Sequence, residues 1–115
     1  MQKISAILLS AGESTRMGRL KALIPWQDVP LIQYQVKSLL SAGVSEVIVV
    51  GGYRSEEVLS QVSGELNVVA VPNPDYQQGK TTSIKVGLNN LPNQPRDILV
   101  LAVDQPRPIS LLRML

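Results

Sequence analysis

The sequence predicts a three-layer α/β fold: a Rossmann-like, mostly parallel sheet with helices on both faces, its C-terminal half incomplete. Three observations predict it. The apolar runs Ile4–Leu9, Val47–Val50, Val68–Val71 and Ile98–Val103 are rich in β-branched residues and largely lack polar alternation, as strands covered on both faces do. Segments with helical spacing of apolar residues separate them. Strands alternating with helices close as repeated βαβ units, which place helices on both sides of one sheet.

The N-terminal run "MQKISAILLSAG" reads as the first strand and not as a secretory leader, because Gly12 and charged residues follow where a small-residue cleavage site would stand. The first helix is predicted over Leu31 to Ala42. Its apolar face carries Ile32, Val36, Leu39 and Leu40, Pro30 suits the first turn, and Gly43 suits the stop. A second helix is predicted after Ser55, with Glu56 and Glu57 at the positive end of its dipole and Val58, Leu59 and Val62 as the buried stripe. A third runs from Thr81 to Leu91 on Ile84, Leu88 and Leu91, although Gly87 costs about 1 kcal/mol relative to alanine. "LPNQPRD" is a short proline-marked loop before the fourth strand. After "DQPRP" the run "ISLLRML" predicts a helix that ends on apolar residues without a cap or polar tail. The expectation is therefore a single domain over residues 1–115 that forms the N-terminal part of a longer one.

The residue inventory narrows the chemistry. The 115 residues contain no cysteine and no histidine. This excludes disulfides, thiolate nucleophiles, Ser–His hydrolysis and imidazole-ligated metals within the chain, and it fits a reducing cytoplasm. Carboxylates, lysine, arginine, hydroxyls, backbone amides and a hard oxygen-bound cation remain, a set suited to phosphate chemistry. A net charge of +2, with 3% aromatic residues and no Phe, supplies neither the basic surface nor the stacking rings of a nucleic-acid platform. No apolar stretch approaches the roughly 20 residues that span a membrane. A small anionic ligand fits better than either.

The loop after the first strand is the strongest candidate for binding it. Ser10, Ala11 and Gly12 let backbone amides approach a ligand closely, and successive amides in a turn form a concave anion site. Arg16 offers a fork and Lys21 a point charge, so the two suit different oxygens of a triphosphate. The Walker spacing fails because Gly18 is followed by Arg19 and only later by Lys21. The dinucleotide spacing fails because Ser14 stands two positions after Gly12. A glycine-rich β–α turn with surface basic residues is the plain alternative. Against it stands a connection of about twenty residues before the first helix, longer than ordinary loops of compact domains.

Two further segments belong at the carboxyl ends of strands, where ligands of such sheets sit. Asp104 follows the fourth apolar run, and either meets a ligand in the cleft or caps a helix that starts near Pro106 and Pro108. In "NPDYQQGKTTSIKVGL", Asn73 and Gly79 lie in the loop after the third strand. Thr81, Thr82 and Ser83 lie at a helix start, whose free amides could hold a base carbonyl or an anion, while each hydroxyl taken singly could equally be an N-cap. Gly51 and Gly52 either face a ligand or permit a tight turn.

The run L-S-A-G-x-S-T-R-M-G-x-x-K-x-L-x-P, followed in order by "NPDYQQGKTTSIKVGL" and "DILVLAVDQPRP", resembles the signature of nucleotidyltransferases related to molybdenum cofactor guanylyl- and cytidylyltransferases and to sugar-phosphate nucleotidyltransferases. The resemblance covers nearly the whole chain. "DQP", "NPDYQQG" and the hydroxyl pair before "GL" look most like the molybdenum cofactor cytidylyltransferase branch, and Leu9-Ser10-Ala11-Gly12 stands where guanine-preferring members tend to read L-A-G-G. The resemblance implies a transferase that moves a nucleoside monophosphate, CMP favoured, from CTP or GTP to a phosphate-bearing acceptor such as molybdopterin. It implies Arg16 and Lys21 as catalytic, Leu9, Ser10, Ala11, Gly12, Gly79 and Ser83 as nucleotide-binding, and Asp104 as the ligand of Mg²⁺. Where that family often has glycine before the aspartate, this chain has Val103. A non-catalytic nucleotide-binding module, a sugar-phosphate nucleotidyltransferase and a Rossmann-type oxidoreductase domain are the rival readings.

Overall fold

A computed structural model describes residues 3–10, 15–16, 19–20, 23, 25–26, 28–91, 96–103 and 105–114; for 15, 16, 19, 20, 26, 96 and 105–114 it describes the backbone alone. Strands β1 (Lys3–Ser10), β6 (Glu46–Gly51), β7 (Val68–Pro72) and β8 (Arg96–Ala102) coincide with the four apolar runs. They pair in parallel in the order β7-β6-β1-β8. The chain builds outward from β1 through β6 to β7, then returns to the other side of β1. The order of construction thus reverses between β1 and β8, which is where open α/β sheets form their ligand crevice.

Alternation along the strands divides the core into two layers. Ala6, Leu8, Val47, Val49, Leu101 and Val103 face one side, where α1 (Leu31–Ser41) and α2 (Ser55–Leu59) cover them with Ile32, Val36, Val58 and Leu59, joined by Val62 in the turn beyond α2. Ile7, Leu9, Ile48, Val50, Ile98, Val100 and Ala102 face the other, against Ile84, Val86 and Leu88 of α3 (Lys80–Asn89) and Leu91 beyond it. With both faces covered, the buried positions of these strands are apolar apart from Ser5 and Ser10, which is why the runs largely lacked alternation.

The helix boundaries follow from backbone chemistry. At the end of α1, Val44 N–H donates to Leu39 O and Gly43 N–H to Leu40 O, at 3.1 and 3.2 Å. This pair of bonds turns the chain through Gly43 at φ 106°, a conformation glycine adopts without strain. Gly87 has a different reason to be glycine: a Cβ there would lie 2.6 Å from Ile7 Cγ2, so α3 approaches β1 more closely than a side chain allows. Gly51 likewise lies under α2, where a Cβ would meet Ser55 Cβ at 2.9 Å and Leu59 Cγ at 3.0 Å. Close packing of helix on strand is its role.

One connection gains structure and one expectation is corrected. The long connection before α1 contains two small hairpins, β2 (Thr15–Arg16) with β3 (Arg19–Leu20) and β4 (Pro25–Trp26) with β5 (Val29–Pro30). Two-residue strands leave no periodicity to read. The predicted helix after "DQPRP" is instead a strand, β9 (Gln105–Met114), antiparallel to β8. A seven-residue run without caps is too short to sustain a helix by itself, whereas pairing with β8 satisfies backbone groups along a sheet edge.

Candidate nucleotide site

The parallel strands end level with one another. Register pairs Leu9 with Ala102, Ser10 with Gly51 and Gly51 with Pro72, so the carboxyl ends of β1, β6, β7 and β8 form one rim. Each segment singled out in the sequence follows one of these strand ends in the chain. Ala11 and Gly12 follow β1, the loop to Gly79 follows β7, and Asp104 follows β8 and Val103.

At the end of β1, Leu9 is buried and its carbonyl accepts a hydrogen bond from Val103 N–H at 3.0 Å. Ser10 is buried too, and its hydroxyl donates to Val50 O at 2.9 Å, tying β1 to β6 at the rim. Arg16 stands in β2 opposite Arg19, in a two-residue ladder. The Arg16 side chain and residues Ala11, Gly12, Lys21 and Asp104 lie outside what the structure describes.

Val103, the residue before Asp104, is held at both ends of its backbone. Its N–H bonds Leu9 O, and its carbonyl accepts from Gln35 Nε2 of α1 at 3.0 Å. Its side chain is 5% exposed and packs in the layer containing Ile32 and Val36. The branched residue found in place of a glycine is therefore accommodated in the core.

The β7–α3 connection is closed by one side chain. Asn73 is 2% exposed, and its Nδ2 donates both to Thr82 Oγ1 and to Ser83 Oγ, each at 2.9 Å. Its Oδ1 accepts from Asp75 N–H at 3.0 Å, and its own N–H donates to Gly51 O at 2.6 Å. Every polar atom of the side chain is thus engaged. Thr82 Oγ1 directs its proton to Gly79 O at 2.7 Å, with Asp75 O at 3.1 Å as the alternative acceptor. Neither Thr81 nor Thr82 is the N-cap of α3; Gly79 is, at φ 115° and ψ 168°. Among the described residues nothing lies within 4 Å of the point a Cβ of Gly79 would occupy, so its constraint is backbone conformation. Ser83 is 1% exposed with its oxygen engaged by Asn73, so it acts within the loop framework.

A cation also stands on the β6–α2 connection. Arg54, at φ 52°, donates to Glu57 Oε1 and Oε2 at 2.9 and 2.6 Å. That hydrogen bond and the carboxylate's charge raise the guanidinium further above its already high pKa, so it stays cationic at any working pH. Three things escaped sequence reasoning: the Gln35–Val103 bond, the closure by Asn73 and the Arg54–Glu57 pair. Only Asn73 carried a signal, since Asn before Pro-Asp favours a side-chain turn of this type.

Comparison with known proteins agrees with this arrangement. The family described as "MobA-like NTP transferase domain" matches residues 6–115. The chain is 35% identical over 88 residues to molybdenum cofactor cytidylyltransferase of Escherichia coli (strain K12), covering 76% of this chain and 45% of that protein. It is 32% identical over 104 residues to nicotine blue oxidoreductase of Paenarthrobacter nicotinovorans, covering 90% of this chain and 50% of that protein. Among solved structures, a nucleotidyl transferase from Methanothermobacter thermautotroptrophicus superimposes with a TM-score of 0.76 at 36% identity, over 90% of this chain and 51% of that one. The chain thus spans about half the length of the relatives it matches.

Proposed function

From the premise that this chain belongs to the MobA-like NTP transferase family, we propose that it carries the triphosphate-binding part of a nucleotidyltransferase, with CTP the favoured donor. The observation that carries the reading is the level rim at the reversal of strand order: the carboxyl ends of β1, β7 and β8 stand together there, and the segments Ala11–Lys21, the loop to Gly79 and Val103–Asp104 follow them in the chain. The cytidylyltransferase relative supports the choice of base. Molybdopterin, as the phosphate-bearing acceptor, is the finer part of the proposal.

In the proposed reaction an acceptor phosphate oxygen attacks the α-phosphorus. A new P–O bond forms as the α–β phosphoanhydride breaks, and the electron pair leaves with pyrophosphate. The acceptor is already anionic at neutral pH, so no general base is needed, in keeping with a chain that has no histidine. Backbone amides after Gly12, in the loop that Leu9 and Ser10 launch from the sheet, cradle the phosphates. Arg16 and Lys21 neutralise charge on them, and Gly79 admits the base, with Ser83 holding that turn.

The donor chemistry at the end of β8 suits a divalent cation. Asp104 offers hard carboxylate oxygen, and Val103 before it is fixed between Leu9 and Gln35. Mg²⁺ commonly takes one or two protein carboxylates together with phosphate oxygens and water, a set to which Asp104 would contribute. When bound it would supply charge neutralisation across the phosphates.

No helix among the described residues is long and apolar enough to cross a membrane. With the cysteine-free composition, this supports a cytoplasmic setting. Equilibrium titration of the complete protein with CTP and GTP in Mg²⁺, followed by a pyrophosphate-release assay, tests the proposal. CTP binding followed by release is expected. Binding without release points to a non-catalytic module, and a sugar phosphate as the better acceptor points to that branch. The oxidoreductase relative supports a second reading as a redox domain. NAD binding in place of CTP would favour it.

A further inference from the structure

We infer that Tyr53 is a positioning residue for the turn at Gly79, acting through the ring of Tyr76, and so a determinant of affinity for the base of the nucleotide and not for its phosphates. This rests on the reading that Gly79 admits the base. It adds to that reading a residue from a different connection, between β6 and α2, which carries none of the expected site residues.

The β6–α2 and β7–α3 connections are joined twice. At the strand ends, Asn73 N–H donates to Gly51 O at 2.6 Å. Farther out, two residues beyond Gly51 and three beyond Asn73, the rings of Tyr53 and Tyr76 meet with centroids 6.5 Å apart and planes tilted by 57°. Rings at that spacing and tilt attract one another beyond the apolar area they bury.

The contact reaches Gly79 through a single turn of backbone. Tyr76 opens the short 3-10 turn Tyr76–Gln78, and its carbonyl accepts from Gly79 N–H at 3.2 Å. Asn73 and Thr82 shape the loop by bonds that begin and end within residues 73–83. Bonds of that kind set the form of the loop, whereas the Tyr53 ring supports it from the neighbouring connection. Tyr53 is itself well placed to do so. It is half-buried against the core layer that α1 and α2 cover. Gly51, before it, holds Asn73, and Arg54, after it, is fixed to Glu57 by hydrogen bonds of 2.9 and 2.6 Å.

A ring that only packs and a ring that places the Gly79 turn differ in what their loss does to two ligands. Loss of general packing weakens a whole nucleotide and a bare triphosphate alike, whereas a displaced Gly79 turn weakens the nucleotide alone. An aromatic pair of this kind is worth about a 2- to 10-fold change in an equilibrium.

The test uses the complete protein with Tyr53→Ala, which removes the ring, and Tyr53→Phe, which keeps it. Binding of CTP and of inorganic tripolyphosphate in Mg²⁺ is measured by calorimetry. Tyr53→Ala is expected to weaken CTP binding about 3- to 10-fold and to leave tripolyphosphate binding near wild type, while Tyr53→Phe matches wild type for both. In a Tyr76→Ala background, Tyr53→Ala is expected to add no further loss, because the two rings act as one contact; a full additional loss there would contradict the route through Tyr76. Gly79→Ala is measured in parallel. If it weakens CTP binding while Tyr53→Ala weakens neither ligand, or both alike, the inference is wrong and the reading of Gly79 stands. If Gly79→Ala leaves CTP binding unchanged, the reading of Gly79 falls and the inference falls with it.

Discussion

Asn73 donates a buried 2.9 Å hydrogen bond to the hydroxyl of Ser83, ten residues further along the chain, and so draws the start of α3 back against the end of β7. Ser83 therefore holds the turn at Gly79 in place from behind. Because Asn73 also serves Thr82 and Asp75, its removal takes a partner from the buried Ser83 hydroxyl and from two less buried groups at once. Asn73→Ala is expected to lower unfolding free energy by about 1–3 kcal/mol in urea titration, since a buried partner left unsatisfied costs about that much. A loss below about 1 kcal/mol would show that the turn is held by something else.

Gly79 is constrained by conformation and not by space. Its φ of 115° and ψ of 168° lie where side-chain-bearing L-residues are strained, while no atom of the described residues lies within 4 Å of the point a Cβ would occupy. Gly79→Ala is expected to cost about 1–3 kcal/mol. Semisynthetic D-alanine at the same position, which favours positive φ, is expected to restore most of it. Equal losses for the two stereoisomers would assign the effect to crowding.

Gly87 presents the opposite case. Alanine there gains about 1 kcal/mol of helix propensity but forces a Cβ to 2.6 Å from Ile7 Cγ2, and overpacking of a core costs about 1–3 kcal/mol. Gly87→Ala is expected to destabilise in the wild-type background and to stabilise in Ile7→Ala, where the obstructing side chain is gone. A double-mutant cycle by chemical denaturation reads this change of sign. The same sign in both backgrounds would show that α3 shifts freely on β1.

The strands β1, β6, β7 and β8 were legible in the sequence because Ile7, Ile48, Val69 and Val100 sit in runs rich in β-branched residues that largely lack polar alternation. The stripe Ile32–Val36 and the group Val58, Leu59, Val62 marked the helices that cover one face. Gly87 read only as a weak helix former, because the Ile7 side chain it accommodates lies eighty residues away in the sequence. Gln35 was invisible for a similar reason: a polar residue on an amphipathic helix gives no sign of which distant carbonyl it will meet. The helix expected over "ISLLRML" illustrates the reverse error, in which local spacing suggested a helix and strand pairing with β8 prevailed. Of the expected site, Leu9, Ser10, Gly79 and Ser83 are placed at or just behind the rim, and their hydrogen-bond roles required the folded chain to be seen.

The central claim is that the loop after β1 neutralises a triphosphate as it reacts, and Lys21→Ala in the complete protein tests it most directly. Loss of one preorganised charge stabiliser typically costs about 10²- to 10³-fold in rate, whereas a surface lysine without such a role changes stability by no more than about half a kcal/mol. Pyrophosphate release from CTP is therefore expected to fall about 10²- to 10³-fold, with an unchanged melting temperature. Turnover near that of the wild type in a normally folded Lys21→Ala protein would contradict the account.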